Sequence, residues 1–406
     1  MNDNWRIVSD PILQECRNCA VGPDNLASEL SKLRKLEDAG LPEAVAFFAG
    51  RVVEGLSDQA VAKAGLTPGS SVLENLDLLA LTGRIDDGSL LCAHTIRRLA
   101  NQARHLERQL HLDEEATIVA LLQLWVEWFL RASVGRRDEL PSAKVSADWS
   151  VRTSTLRVLA MGDQTDVHNL RTVTGALQPL LADAATAAFV AERLVDYSHP
   201  EAAEFVGQAS LRFPRAKRIT QVRALLYSRN GDVDRAIGLL LPLRRGYRRA
   251  LDAETIGILG GAYKKKWMLS GDNAQLAAAH DTYAVSLPDS RDNYYLRINV
   301  AATALWLGHL TEARASAYAV IRLLSEFGVT TDGALAQSES YWILATLAEA
   351  QLLAGSAKQA LSLYRRAKEL DVTGGRWRTT CSQLVRHLNA LPKVKLRKEF
   401  DEVAAT

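Results

Sequence analysis

Residues 252–299 read DAETIGILGGAYKKKWMLSGDNAQLAAAHDTYAVSLPDSRDNYYLRIN. Asp252 and Glu254 suit the positive end of a helix dipole and predict a helix start there. Gly257, Gly260 and Gly261 fall inside that helix, each costing about 1 kcal/mol of helix propensity relative to alanine. A sequence accepts that cost where a neighbouring helix packs tightly or a bound group lies on the helix. Ala279 and Tyr283 follow one turn apart in a second helix, and Tyr294, Tyr295 and Asn299 open a third. Such a segment is two helices of one unit and the start of the next.

The same grammar extends outward on both sides. Gly231 precedes Ala236, Gly308 precedes Ala313 and Gly355 precedes Ala360, each by five residues, and Tyr364 follows Ala360 by one turn. This is the turn and second helix of a tetratricopeptide (TPR) unit. The alanine lets two helices approach, and the aromatic one turn later fills the groove between repeats. The key alanines fall at 236, 279, 313 and 360. Only the middle step matches a 34-residue unit, so the others need longer helices or loops. Units of this kind bury their apolar faces only by stacking, which creates a concave surface that binds a peptide or protein. Aligned on Ala313, Tyr295 and Asn299 lie one turn apart on that surface, with Lys264 on the previous first helix. Asparagine and lysine so placed can clamp a peptide backbone or a carboxylate.

The 252–299 segment also resembles the TRAFs-binding region in the central regulatory part of the apoptosis signal-regulating kinases. Asp252, Glu254, Thr255, Gly257, Leu259, Gly260, Gly261, Tyr263, Lys264, Trp267, Tyr283, Tyr294, Tyr295, Ile298 and Asn299 carry that resemblance. It implies an all-helical TPR-like scaffold serving a signalling assembly. No Gly-rich loop, H-R-D or D-F-G is present, so the implied module stands without a kinase. Similar modules occur in bacterial proteins that look like parts of multi-gene defence or signalling systems.

Lys264, Lys265 and Lys266 beside Trp267 could bind an anion such as a nucleotide, phosphate or carboxylate; a solvated cationic helix end is the plainer reading. Gly257, Gly260 and Gly261 do not form a Walker or dinucleotide fingerprint, because no strand precedes them. Arg244, Arg245, Arg248 and Arg249 form a second basic cluster that would pair within the fold or meet an acidic partner.

The chain has 406 residues, 49 basic and 47 acidic, with Gly 25 and Pro 11. Few helix breakers favour helix throughout, and a net charge of +2 argues against a strongly polyanion-seeking protein. No secretory leader is visible, and the most apolar stretch, Thr117 to Leu130, is too short to span a bilayer. A cytoplasmic setting is the expectation. Cys16 and Cys19 with Cys92 and His94 are a weak zinc set, separated by too long a gap. Ordinary thiols are the plainer reading, and neither a metal nor a cofactor is expected. No catalytic constellation is recognisable, so the chain reads as a non-enzyme.

Ser57 to Ile85 resembles a winged-helix helix-turn-helix. Its second helix, about Ser70 to Leu81, carries Glu74, Asn75 and Asp77 without Arg or Lys, which argues against DNA reading. Trp125, Trp128 and Phe129 lie on an apolar helix where buried packing is the main expectation.

The organisation expected is an all-α chain: an N-terminal helical domain over 1–135, a linker and first helices over 136–183, TPR-like repeats over 184–390 and a basic mobile tail over 391–406. The favoured role is a scaffold or regulator that binds a partner protein through Asp252, Glu254, Tyr263, Lys264, Trp267, Tyr294, Tyr295 and Asn299. Ala236, Gly257, Gly260, Gly261, Ala279, Tyr283, Ala313, Ala360 and Tyr364 would be packing positions. The partner would be an effector such as a protease, a kinase or a TIR-like protein; nucleic acid and membrane are disfavoured. The alternatives are a sensor of a small anionic ligand at 257–267, or a winged-helix regulator with a TPR sensor.

Overall fold

A computed structural model describes residues 16–21, 24–104, 110, 112–134, 156, 159, 178–181, 183–245, 252–285, 287, 293–326, 341–370, 375–391 and 393–405. The chain divides into two compact units, Met1–Ala80 with Arg84–Val222 and Leu81–Gly83 with Arg223–Thr406. Helices dominate both. The division falls at Val222, well past the 183/184 boundary expected from sequence, because the first helices after 184 pack on the N-terminal core. Most of the expected linker, 136–183, lies outside the described residues, as do Arg248, Arg249 and the side chain of Arg245.

The first unit opens with a short antiparallel hairpin, β1 (Ala20–Val21) and β2 (Asp24–Asn25). Helix α1 (Leu26–Asp38) is capped by Asn25, whose Oδ1 accepts the Ser28 N–H at 2.8 Å. Gly40 takes φ +63°, and Pro42 opens α2 (Pro42–Lys63), where its missing N–H costs nothing. Helix α2 packs on α4 (Asp87–Arg104) and α5 (Leu112–Val134). A Cβ on Gly50 would stand 2.6 Å from the Ala100 Cβ, so the α2–α4 approach needs glycine there. Trp125 and Phe129 of α5 are fully buried, and Trp128, also buried, stacks on Trp125 at 4.5 Å. Asp183 caps α6 (Ala184–Asp196) and accepts from the α5 residue Thr117, so α6 belongs to this core; α7 (Ala202–Arg212) packs on α6.

Helix α3 (Val72–Leu81) is the expected reading helix, and its polar residues serve the fold instead. Glu74 accepts from the Ser70 hydroxyl at 2.9 Å. Asn75 is fully buried; its carbonyl accepts the Gly69 N–H at 2.7 Å and its amide donates to Asp58. Cys16, Cys19 and Cys92 are buried free thiols. Among the described residues no group of three or more His, Cys, Asp or Glu side chains is placed to hold a metal, so the candidate zinc set is not assembled.

The second unit begins within α8 (Lys217–Arg229) and continues in helix pairs: α8 with α9 (Val233–Arg245), α10 (Ala253–Ser270) with α11 (Asn273–Ala284), α12 (Tyr294–Trp306) with α13 (Leu310–Glu326), and α14 (Tyr341–Ala354) with α15 (Ala357–Glu369). The turn inside each pair holds a glycine at positive φ: Gly231, Gly271, Gly308 and Gly355. Left-handed backbone is cheap only for glycine, so these four positions set the hairpin between each first and second helix. Ala236, Ala279, Ala313 and Ala360 are all buried, as are Tyr283 and Tyr364. In the second pair the turn glycine stands eight residues before Ala279 rather than five, which lengthens that hairpin.

Two further helices close the unit, α16 (Gly375–Ala390) and α17 (Arg397–Ala405). The expectation of a mobile tail over 391–406 fails here. Phe400 is fully buried against Tyr364, Val403 is buried beside it, and Lys368 donates to the Val403 carbonyl at 3.0 Å. Lys393, Lys395, Arg397 and Lys398 are exposed, the last two on an amphipathic helix whose other side is apolar.

Candidate functional site

The first helices α10, α12 and α14 pack side by side, as nearest neighbours in a helical stack do. Helix α10 is positioned by its cap: Asp252 accepts the Thr255 N–H at 3.2 Å and its hydroxyl at 2.6 Å. Asp252 is thus a capping residue, and exposed Glu254 sits in the first turn, where the helix dipole favours its charge. The next helix is capped the same way by Asn293, which accepts the Leu296 N–H at 2.9 Å.

Three glycines of α10 meet three different surroundings. A Cβ on Gly260 would lie 2.5 Å from the Tyr283 ring, one on Gly257 3.1 Å from Tyr295, and one on Gly261 only 3.8 Å from the Tyr283 hydroxyl. Gly260 is the socket for the aromatic between repeats, and Gly257 seats the Tyr295 ring. Tyr263 and Tyr294 pack against the cores between pairs rather than at the polar centre described next.

Lys264 is that centre. Its ammonium donates to Asn299 Oδ1 of α12 at 2.9 Å and to Gln383 Oε1 of α16 at 3.3 Å. The Gln383 amide passes the polarity on, donating to Glu349 Oε1 of α14 at 2.7 Å. His387 Nε2 meets the same oxygen at 2.9 Å. An ammonium and a carboxylate are therefore joined through one oriented amide. Asn299 is held from behind, its amide donating to the Tyr295 carbonyl at 2.8 Å. Burial lowers the Lys264 ammonium below the ordinary lysine range; Glu349 opposes that shift and Arg386 adds to it.

Aromatic rings floor this polar cluster. Trp267 stacks on Trp306 at 5.3 Å, and Trp306 stacks on His387 at 5.2 Å. The Lys264 Nζ lies 5.9 Å from the Trp306 ring centre, at the edge of cation–π range. The Trp306 Nε1 and the His387 Nδ1 are buried with no hydrogen-bond partner. Beside the cluster, Tyr295 and Trp342 are large and about half exposed, at 48% and 47%. Helical spacing puts Tyr295 on the face of Asn299 and Trp306, and Trp342 on the face of Glu349. The Tyr295 hydroxyl is pushed up to about 12, first by burial and then by Glu254 and Glu349.

Of the sequence-predicted residues, Lys264, Trp267, Tyr295 and Asn299 come together here. The three lysines do not act as one anion clamp. Lys265 donates to the Ser228 carbonyl at 2.6 Å and Lys266 pairs with Asp234 at 2.6 Å, which leaves Lys264 as the member that joins the cluster. Sequence reasoning missed Trp306, Glu349, Gln383 and His387. A signal for two of them existed: Trp306 follows Asn299 by seven residues, and Glu349 interrupts the apolar run YWILATLAEAQLLA.

A family model described as Tetratricopeptide Repeats-Sensor (TPR-S) matches residues 198–305. No curated protein matches this chain. The fold and the match together show an all-helical, TPR-like repeat region. They support the repeat architecture implied by the kinase resemblance, without any assignment of TRAF binding. Repeat domains of this kind typically bind proteins and are typically not catalytic. No described helix is long and apolar enough to cross a membrane.

Proposed function

We propose that the chain is a non-enzymatic regulatory module that receives a partner protein on the inner face of α10, α12 and α14. The observation that carries this reading is the convergence of Lys264, Asn299 and Glu349, from three successive first helices, beside the exposed rings of Tyr295 and Trp342. Aromatic anchors next to a polar cluster are the chemistry of an interface hot spot. An effector of a signalling or defence assembly, such as a protease, kinase or TIR-like protein, is the partner class that fits such a module.

Tyr295→Ala and Trp342→Ala test the surface without disturbing the polar cluster. With a photo-reactive residue at 318, on the second helix α13, as the outward control, partner capture should be lost in both variants. Full retention of every partner by both folded variants would remove this reading.

The unpartnered Trp306 and His387 nitrogens beside Lys264 favour one second reading, a small anionic ligand bound at the same cluster. Thermal unfolding against a nucleotide and phosphate panel checks it, because a ligand of the folded state raises the midpoint by mass action. An unchanged midpoint at millimolar ligand would sink it.

A further inference from the structure

In a stack of repeats each unit touches only its neighbours. Helix α16 breaks that rule. It follows the fourth pair in sequence, yet its Gln383 reaches Lys264 of α10, two pairs back, at 3.3 Å. Its His387 stacks on Trp306 of α12 and bonds to Glu349 of α14. Its Thr380 accepts from the Tyr341 hydroxyl of α14 at 2.7 Å. One helix thus meets the first helices of three successive pairs, where a helix extending the stack would meet only the pair before it.

The sequence of α16 suits that seat. Trp377, Leu384 and Leu388 are buried with the repeat core, Gln383 and His387 lie at i and i+4 above the polar cluster, and Arg378, Ser382 and Asn389 face outward. This is the pattern of an amphipathic helix in a groove, read as apolar anchors one or two turns apart. Helix α17 then packs on α15 and α16 and holds it down.

We infer that α16 is a built-in occupant of the partner groove, and that the partner presents an amphipathic helix of the same chemistry. That helix would carry an aromatic and aliphatic stripe, with an amide or imidazole directed at Glu349. The inference rests on the inner face being the partner surface, and it adds that the resting chain blocks its own site. A partner then binds only the fraction of molecules in which α16 has lifted, so its apparent affinity falls by that fraction.

The test uses the full chain and a fluorescent synthetic peptide of residues 375–391. Gln383→Ala with His387→Ala removes the polar contacts of α16 while keeping every residue of α10, α12 and α14. The double variant should bind the peptide at least tenfold tighter than wild type, and a peptide bearing the same two substitutions should not bind. Equal binding to wild type and variant would overturn the inference. Should the double variant fold poorly, wild-type protein still decides: saturating peptide should speed amide exchange in α16 while α14 stays protected. Unchanged α16 protection at millimolar peptide would overturn it. Dimerisation of the variant without peptide uptake would make a second copy the occupant, and overturn it equally. The two proposals fail separately. Peptide exchange with natural partners indifferent to Tyr295→Ala and Trp342→Ala keeps the occupancy and removes the partner surface.

Discussion

Gly257, Gly260 and Gly261 look alike in the sequence and are unlike in what surrounds them. Replacing glycine by alanine inside a helix gains about 1 kcal/mol from propensity. At Gly260 the new methyl would meet the fully buried Tyr283 ring at 2.5 Å, and overpacking of that kind costs about 1–3 kcal/mol. At Gly261 the nearest atom is at ordinary contact distance. Gly260→Ala should therefore lower stability in urea unfolding, and Gly261→Ala should raise it by up to about 1 kcal/mol. Gly257→Ala should fall near zero, because half-exposed Tyr295 can shift by a few tenths of an ångström. A stabilised Gly260→Ala would show that Tyr283 does not occupy the socket. The sequence made this segment conspicuous through its glycines, but which glycine is essential depends on a tyrosine twenty-three residues away.

At the scale of elements, the closing helices decide how the repeat stack ends. A repeat array needs its last apolar face covered, and α17 does this with Phe400 and Val403. Phe400→Ala should cost about 3–5 kcal/mol, as for other fully buried phenylalanines. A change within about 0.5 kcal/mol, the range of surface substitutions, would mean a frayed end instead. The run KVKLRKEFDEVAAT reads by composition as a basic tail. Its phenylalanine and valine three residues apart hint at a packed face, which forms because α15 presents Tyr364 to Phe400.

At the scale of a whole unit, the first unit carries a pH dependence that no local motif announces. Glu115 of α5 is buried, with Glu37 of α1 and Glu43 of α2 nearby, and its Oε2 has no partner. Burial, then the two neighbouring carboxylates, push it up to about 7. The folded state thus holds the proton more tightly than the unfolded chain does. The contribution of Glu115 to stability is complete below about pH 4.3 and is lost as the pH rises through about 7. Glu115→Gln should unfold at a higher temperature than wild type at pH 8, by at least about 2 °C, and the gap should close below pH 5. A gap that widens toward acid would show the carboxylate to be paired rather than crowded.

Local chemistry by itself determined the repeating framework. Glycines able to adopt positive φ, alanines where helices touch and an aromatic one turn later act within a few residues, so they are legible without the fold. The same holds for the caps at Asp252 and for the inward pull of Trp125 and Phe129. Tertiary structure alone decided the site. Lys264, Asn299, Glu349, Gln383 and His387 span more than a hundred residues, and no local spacing relates them. What unites them is the stacking of first helices and the packing of α16 against all three. The unit boundary is of the same kind: α6 and α7 follow the expected linker in sequence, but α6 packs on the N-terminal core, with its apolar face buried and its cap Asp183 accepting from Thr117. Periodicity is a short-range property of the chain, whereas the juxtaposition of charge, amide and ring is set by which apolar faces find each other.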